Sequence, residues 1–259
     1  AFSNGGQPVA YLVAKDNSAL YFYGQGLDTV YTDTNVYWLG VGDALLMATR
    51  NTTLPKPDSV ARTFPSTQRW AKNLSADVLK KFIPALAVAG EPDGDYWCWG
   101  YAYVKAGASS SVTFSSGNLD APGAVNAGSA TVAVELRGAS ESTNPVSVPD
   151  HHAEVLVNGV VVGSGQFDGT DHYRLEARFD QGVAGAPVIL PQGNVISVRG
   201  VLDQGVPSSL FVVKSVELTY PRAYQAVNNA LTFGTGNYPA VTVEGFTGSD
   251  VTVLDISDA

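Results

Sequence analysis

Between Ala153 and Phe167 the chain reads AEVLVNGVVVGSGQF, and the pair Asn158-Gly159 limits what this stretch can become. Both central residues of a type I′ turn need positive φ. Asn tolerates it, Gly adopts it freely, and apolar β-branched residues stand on either side. The spacing predicts a tight β-hairpin. Val155 and Val157 alternate before the turn and Val160 and Val162 after it, so both arms hold the register. Polar clusters bracket the hairpin, with Asp150-His151-His152 ahead of it and Phe167-Asp168-Gly169 behind.

Short runs of the same character recur along the chain. SSSVTFSS, ATVAVELRG, HYRLEARF, GNVISVRGVL and LFVVKSVELTY each read as a strand bounded by turn residues. Near the N-terminus YLVAK, ALYFYG and TNVYWLGVG predict a three-stranded meander, and ALTFG, AVTVEGF and DVTVLDIS add three strands at the other end. Leu54 to Arg69 carries Pro55, Pro57 and Pro65, each of which deletes a ladder donor, so this segment reads as a linker or crossing segment. One helix is expected, from Ser75 to Phe82, capped by Ser75 and stopped by Pro84.

With only 15% charged residues, 27 glycines and 14 prolines, the composition supports the same reading. The expected fold is all-β: a jelly-roll β-sandwich over 62–222, with a second, smaller β-sandwich unit formed by the N- and C-terminal flanks, 1–61 and 223–259. Strands this closely spaced, without intervening helices, do not suit a βαβ architecture.

Charge and cysteine content exclude several functions. A net charge of −9 with 15 Lys and Arg argues against nucleic acid as a partner. Cys98 is alone, which rules out an intrachain disulfide and the Cys-rich zinc patterns. No apolar run is long enough to span a bilayer. No GxSxG, P-loop, HExxH or EF-hand pattern occurs, and GQGLDT is too short and wrongly placed for a phosphate loop.

Three groups of residues invite chemistry. Asp150, His151, His152, Asp168, Asp171 and His172 lie near the two ends of the hairpin, where carboxylates and imidazoles within reach suit a divalent metal or an acid/base pair. Adjacent histidines on a strand point to opposite faces, so only one of the first pair can join such a site, and turn capping is the competing role. In YWCWGYAYV, Trp97, Trp99, Tyr101 and Tyr103 alternate onto one face. That face is either core filling or a flat platform on which sugar rings stack. Cys98 between two tryptophans reads as a small buried residue. Asp93, Asp95, Asp120, Asp203 and Asp250 lie in turns, where structural calcium could tie loops together; no other cofactor is required. Pairs such as Glu154 with Asp168, or Asp150 with Asp171, would serve a stand-alone hydrolase, although no pattern singles them out.

Taken in order, DNSALYFYGQGLDTVYTDTNVYWLG, DHHAEVLVNGVVVGSGQFDG, LPQGNVISV, VELTYPRAY and VEGFTGSDVTVLDISD resemble the region preceding the catalytic domain in gingipain-type secreted cysteine peptidases. The resemblance implies a non-catalytic part of a larger exported bacterial protein, secreted or at the cell surface. In that family the catalytic domain begins after a segment similar to Asp255-Ile256-Ser257-Asp258, and Cys98 does not match the nucleophile, so no catalytic residue carries over. The expected function is a binding module, with polysaccharide or glycoprotein as its partner. The alternative is a structural docking module for the adjacent cysteine-peptidase domain, in which case the flanks should expose an apolar patch.

Overall fold

The computed structural model describes residues 1–27, 29, 32, 34–49, 61–74, 96–108, 111–141 and 148–257. The helix expected from Ser75 and the aspartates Asp93 and Asp95 lie outside them. All regular structure among the described residues is β. The chain divides into two compact units, Ala1–Lys56 with Gly248–Ala259, and Pro57–Thr247.

In the smaller unit, β1 (Phe2–Asn4), β2 (Gln7–Pro8) and β5 (Tyr37–Leu39) form a three-stranded sheet in the order β2-β1-β5, while β3 (Leu12–Val13) pairs with β4 (Leu20–Tyr21). The expected meander is therefore corrected, because β5 pairs with β1 and not with β4. Aromatic packing accounts for this. Phe2 on β1 stacks on Tyr37 of β5 at 5.7 Å and meets Phe22 edge-on at 4.5 Å, a cluster that a sequential meander would separate.

The larger unit is a two-sheet sandwich. Its strands are β6 (Thr63–Ala71), β7 (Gly100–Lys105), β8 (Ser111–Ser115), β9 (Gly128–Gly138), β10 (His151–Val157), β11 (Val160–Phe167), β12 (His172–Gln181), β13 (Ile196–Val201) and β14 (Ser208–Ala223). One sheet runs β11-β10-β13-β8. The other runs β12-β9-β14, with β6 and β7 sharing the far edge of β14. All pairings are antiparallel, and only β10 and β11 are joined as a hairpin within one sheet. Asn158 (φ 48°) and Gly159 (φ 85°) supply the two positive dihedrals that its turn demands.

The inward faces meet in one apolar core. Ala153, Val155 and Val157 of β10 and Ile196 and Val198 of β13 pack with Val132, Val134 and Leu136 of β9 and Phe211, Val213, Val216 and Leu218 of β14. Each fully buried side chain of this size contributes about 1.5–3 kcal/mol. The inward set of β14 changes parity between Val213 and Val216 because the register shifts between Val213 and Ser215. A bulge there lets one long strand keep apolar residues inside along its whole length.

Two further expectations are corrected. Of Leu54 to Arg69, taken as a linker or crossing segment, the residues from Thr63 onward belong to strand β6. Pro65 is tolerated because β6 is an edge strand and Pro65 faces Pro221, so neither proline has to donate a ladder bond there. Residues 224–257 form only isolated bridges, not three strands. Of these, 224–247 fall with the larger unit, where Tyr224 packs with Ala61, Phe64, Phe233 and Val241.

Gly100 faces the core beneath the ring of Phe114, and a Cβ built there collides with that ring. Gly100→Ala should cost about 1–3 kcal/mol through overpacking. Gly234→Ala, where a Cβ meets nothing within 4 Å, serves as the control. Urea unfolding of both variants checks this, and an equal, small effect would contradict the packing.

Candidate functional site

The hairpin ends gather the polar residues as expected, but into a structural clasp. His151 begins β10, points into the sandwich and is fully buried against Phe167 and Phe211. Its Nε2 lies 2.8 Å from the Gly169 carbonyl and 3.1 Å from the Ser140 carbonyl, and its Nδ1 lies 2.9 Å from the Ser209 hydroxyl. Carbonyls only accept, so Nε2 carries the proton and Nδ1 accepts from Ser209. Burial pushes the imidazole below its ordinary pKa, opposed by the two carbonyls and by the charges of Asp150 and Asp168.

Around this ring Asp150 and Asp168 tie the chain back on itself. The Gly169 N–H donates to Asp150 Oδ2 at 3.0 Å, and the Asp150 N–H donates to Asp168 Oδ1 at 3.1 Å. Asp171 contributes its backbone carbonyl, which accepts from the Gly138 N–H at 3.0 Å, while His172 is exposed at the start of β12. His152 turns outward, as alternation requires. Its Nδ1 stands 2.8 Å from Asp203 Oδ1, and Gln166 Nε2 donates to the other oxygen of that carboxylate. His151 and His152 thus separate onto opposite faces of β10, and His172 stands on β12 in the other sheet. Among the described residues, no group of three or more His, Cys, Asp or Glu is placed to hold a metal.

Candidate acid pairs and turn aspartates are engaged in the same way. Glu154 binds Arg199 across β10 and β13. Asp120 accepts from the Gly193 N–H. Sequence reasoning missed the partners of His151, namely Ser140, Gly169 and Ser209. It also missed Asn194, whose buried amide joins Leu119, Leu190 and Asn158 and so pins the hairpin tip. These partners lie up to 75 residues away and carry no local signature.

The aromatic row gives a different result. Trp97, Tyr101 and Tyr103 are 46%, 52% and 43% exposed, whereas Trp99 is 6% exposed. Tyr101 and Tyr103 stand on the outer face of β7, while Ala102 and Val104 face inward. The expectation of four rings on one face is corrected at Trp99. Its N–H donates to the Val213 carbonyl, and its ring packs edge-on against Phe114 at 5.6 Å in the space left by Gly100. Cys98 is buried with Tyr96, Ala139, Leu210 and Val212.

Gly138 lies directly against the clasp. A Cβ there would overlap the Gly169 carbonyl and come 2.8 Å from His151 Nε2, so Gly138→Ala should destabilise the larger unit strongly. The buried imidazole also sets a pH dependence. Its folded pKa is depressed, so the unfolded chain takes up the proton first as pH falls below 6.5. Stability from this group is fully present above 6.5 and is lost progressively beneath it. NMR titration should show the His151 ring taking up its proton at a lower pH than an ordinary imidazole, with the urea midpoint falling from pH 7.5 to 5.5. Normal protonation of His151 would contradict the burial.

No family model matches the chain, and no curated protein does. Among solved structures, dimeric latent PorU from Porphyromonas gingivalis is similar at a TM-score of 0.48 and 11% identity, over 90% of this chain and 19% of that one. The xylan-binding module CBM15 gives 0.26 and 12%, over 47% of this chain and 90% of that one. A structure of infectious bursal disease virus, Gx strain, gives 0.29 and 12%, over 81% and 44%. The chain therefore spans about one fifth of the PorU structure, and the gingipain-type resemblance rests on the sequence motifs alone.

Proposed function

We propose that this chain is a non-catalytic binding module of a larger exported bacterial protein, that its larger unit is a jelly roll, and that its ligand is carbohydrate. The observation that carries this reading is the open display of Trp97, Tyr101 and Tyr103 at one edge of a packed sandwich. Successive same-face residues on a strand lie about 6.8 Å apart, a spacing on the scale of one sugar unit. Aromatic faces present apolar area and a negative quadrupole to the C–H faces of a pyranose. Rings held by a strand keep this surface organised before binding, which lowers the ordering cost. The connectivity supports the jelly-roll assignment. With β6 and β7 counted as one edge position, β6/β7-β14-β9-β12 faces β8-β13-β10-β11, and the chain crosses between sheets at every step except the β10–β11 hairpin.

The clasp at the hairpin ends supports a non-catalytic role. His151 uses both ring nitrogens within the fold, and His152 is committed to Asp203. The one hydroxyl that His151 meets, that of Ser209, is fully buried with it and out of reach of a substrate, and the contacts described above bring no hydroxyl or thiol to His152.

A second reading concerns the smaller unit, taken alone. On and beside β5, Val36, Trp38, Leu39 and Val41 are exposed, Trp38 at 69% and Leu39 at 71%. β5 is also an edge strand of its sheet. Exposed apolar residues on a sheet edge mark a surface for another protein. We take this as a docking face for a neighbouring domain, in keeping with the expectation for a peptidase-associated module.

Affinity electrophoresis of the full chain against a panel of plant and microbial glycans tests the first reading. Retention should fall at least about tenfold in Trp97→Ala and Tyr101→Ala, as expected when a stacked ring is removed. Absence of retention by every glycan would remove the carbohydrate ligand. For the second reading, Trp38→Glu with Leu39→Glu should reduce binding of the dye anilinonaphthalene sulfonate while leaving glycan retention intact. Unchanged dye binding would show that the patch is not an accessible apolar face.

A further inference from the structure

We infer that the carbohydrate held at the aromatic row is acidic, bearing uronate or a comparable anion, and that Lys105 receives its charge. This rests on the carbohydrate reading above and narrows it. Along β7 the exposed positions are Tyr101, Tyr103 and Lys105, with Ala102 and Val104 buried between them. The ammonium therefore stands on the aromatic face, one same-face step beyond Tyr103, about 6.8 Å further along the strand.

The local charge is opposite in sign to that of the chain. The sequence carries 24 Asp and Glu against 15 Lys and Arg, yet from 96 to 119 it contains no acid, and Lys105 is the single charge. Lys72 lies against a different ring, its Nζ 5.2 Å from the centroid of Trp99, which is turned into the core and is not part of the exposed row. Of the carboxylates on the same face of the sheet, Glu135 and Glu217 accept from Arg174 at 2.7 and 3.0 Å, and Glu176 stands 3.6 Å from the same guanidinium. A carboxylate on a bound sugar would thus meet the Lys105 ammonium beside the exposed rings.

The two forces differ in what they recognise. Stacking on Trp97 and the tyrosines is indifferent to ligand charge, whereas an ammonium–carboxylate contact at the rim is weakened by salt. The chain as a whole repels anions, so a local excess of cations is what would let an acidic polymer settle here.

Polygalacturonate and alginate, each compared with its methyl-esterified form, supply the same backbones with and without charge. On affinity gels the full chain should retain the charged forms more strongly, with the advantage shrinking in 0.5 M NaCl, where the Debye length is about half its physiological value of ~8 Å. Lys105→Glu should remove that advantage, a change of about threefold to tenfold for reversal of one rim charge, while leaving the esterified forms bound as before. Lys15→Glu in the smaller unit should change neither. Equal binding of charged and esterified forms, or an advantage that survives Lys105→Glu, overturns the acidic class and leaves the carbohydrate reading standing. No retention of any of the four polymers overturns the acidic class, and the carbohydrate reading falls with it only if the wider glycan panel is also not retained.

Discussion

The dry layer between the two sheets of the larger unit is the constraint on which everything else depends, and β14 is the strand that makes it continuous. Phe211 and Val213 point inward on one side of the bulge, and Val216, Leu218 and Tyr220 do so on the other. Without the extra residue at Lys214 one half of that strand would turn its apolar set to solvent, because a one-residue slip inverts every side chain. The same strand holds β9 along one edge and β6 and β7 along the other. The position of the aromatic row is thus a consequence of core packing: Ala102 and Val104 face in, so Tyr101 and Tyr103 face out.

Polar groups inside this layer act as joints. His151 and Asn194 are fully buried, and each spends its hydrogen-bonding capacity on backbone or side-chain partners from distant loops. Leaving such groups unpaired would cost about 1–3 kcal/mol each, so their partners fix where the loops lie. This explains why a sequence cluster rich in Asp and His need not be a reactive centre. The carboxylates of Asp150 and Asp168 each accept from a backbone N–H at the opposite end of the hairpin and so tie its two ends together.

How much of this was legible depended on whether the signal was local. The hairpin was, since Asn158 and Gly159 announce a turn geometry that the chain then adopts. The strands of β8, β9 and β12 to β14 were also legible, because alternation and turn residues mark them without reference to partners. The strand at β6 was hidden by Pro65, whose tolerance depends on edge position and on facing Pro221, 156 positions away by difference of residue numbers. Trp99 was misplaced because period-two alternation was extended through a point where Gly100 and the ring of Phe114 redirect the chain. The tail looked strand-like in composition, yet Leu231, Phe233 and Val241 satisfy their apolar character by packing on Tyr224 and Phe64, without a ladder. At the candidate site, Trp97, Tyr101 and Tyr103 were named from sequence, but only burial could separate them from Trp99.

The sandwich commits the two histidines at the start of β10 to partners within the fold and leaves Trp97, Tyr101 and Tyr103 exposed, and the proposed function assigns those rings to a bound ligand. Chemical-shift mapping with a glycan that retains the full chain addresses this directly. The account predicts perturbations centred on the Trp97 indole and on Tyr101, Tyr103 and their β7 neighbours, with the Trp99 indole and the His151 ring unmoved. Perturbations centred on His152 and Asp203, or glycan turnover accompanying them, would contradict it.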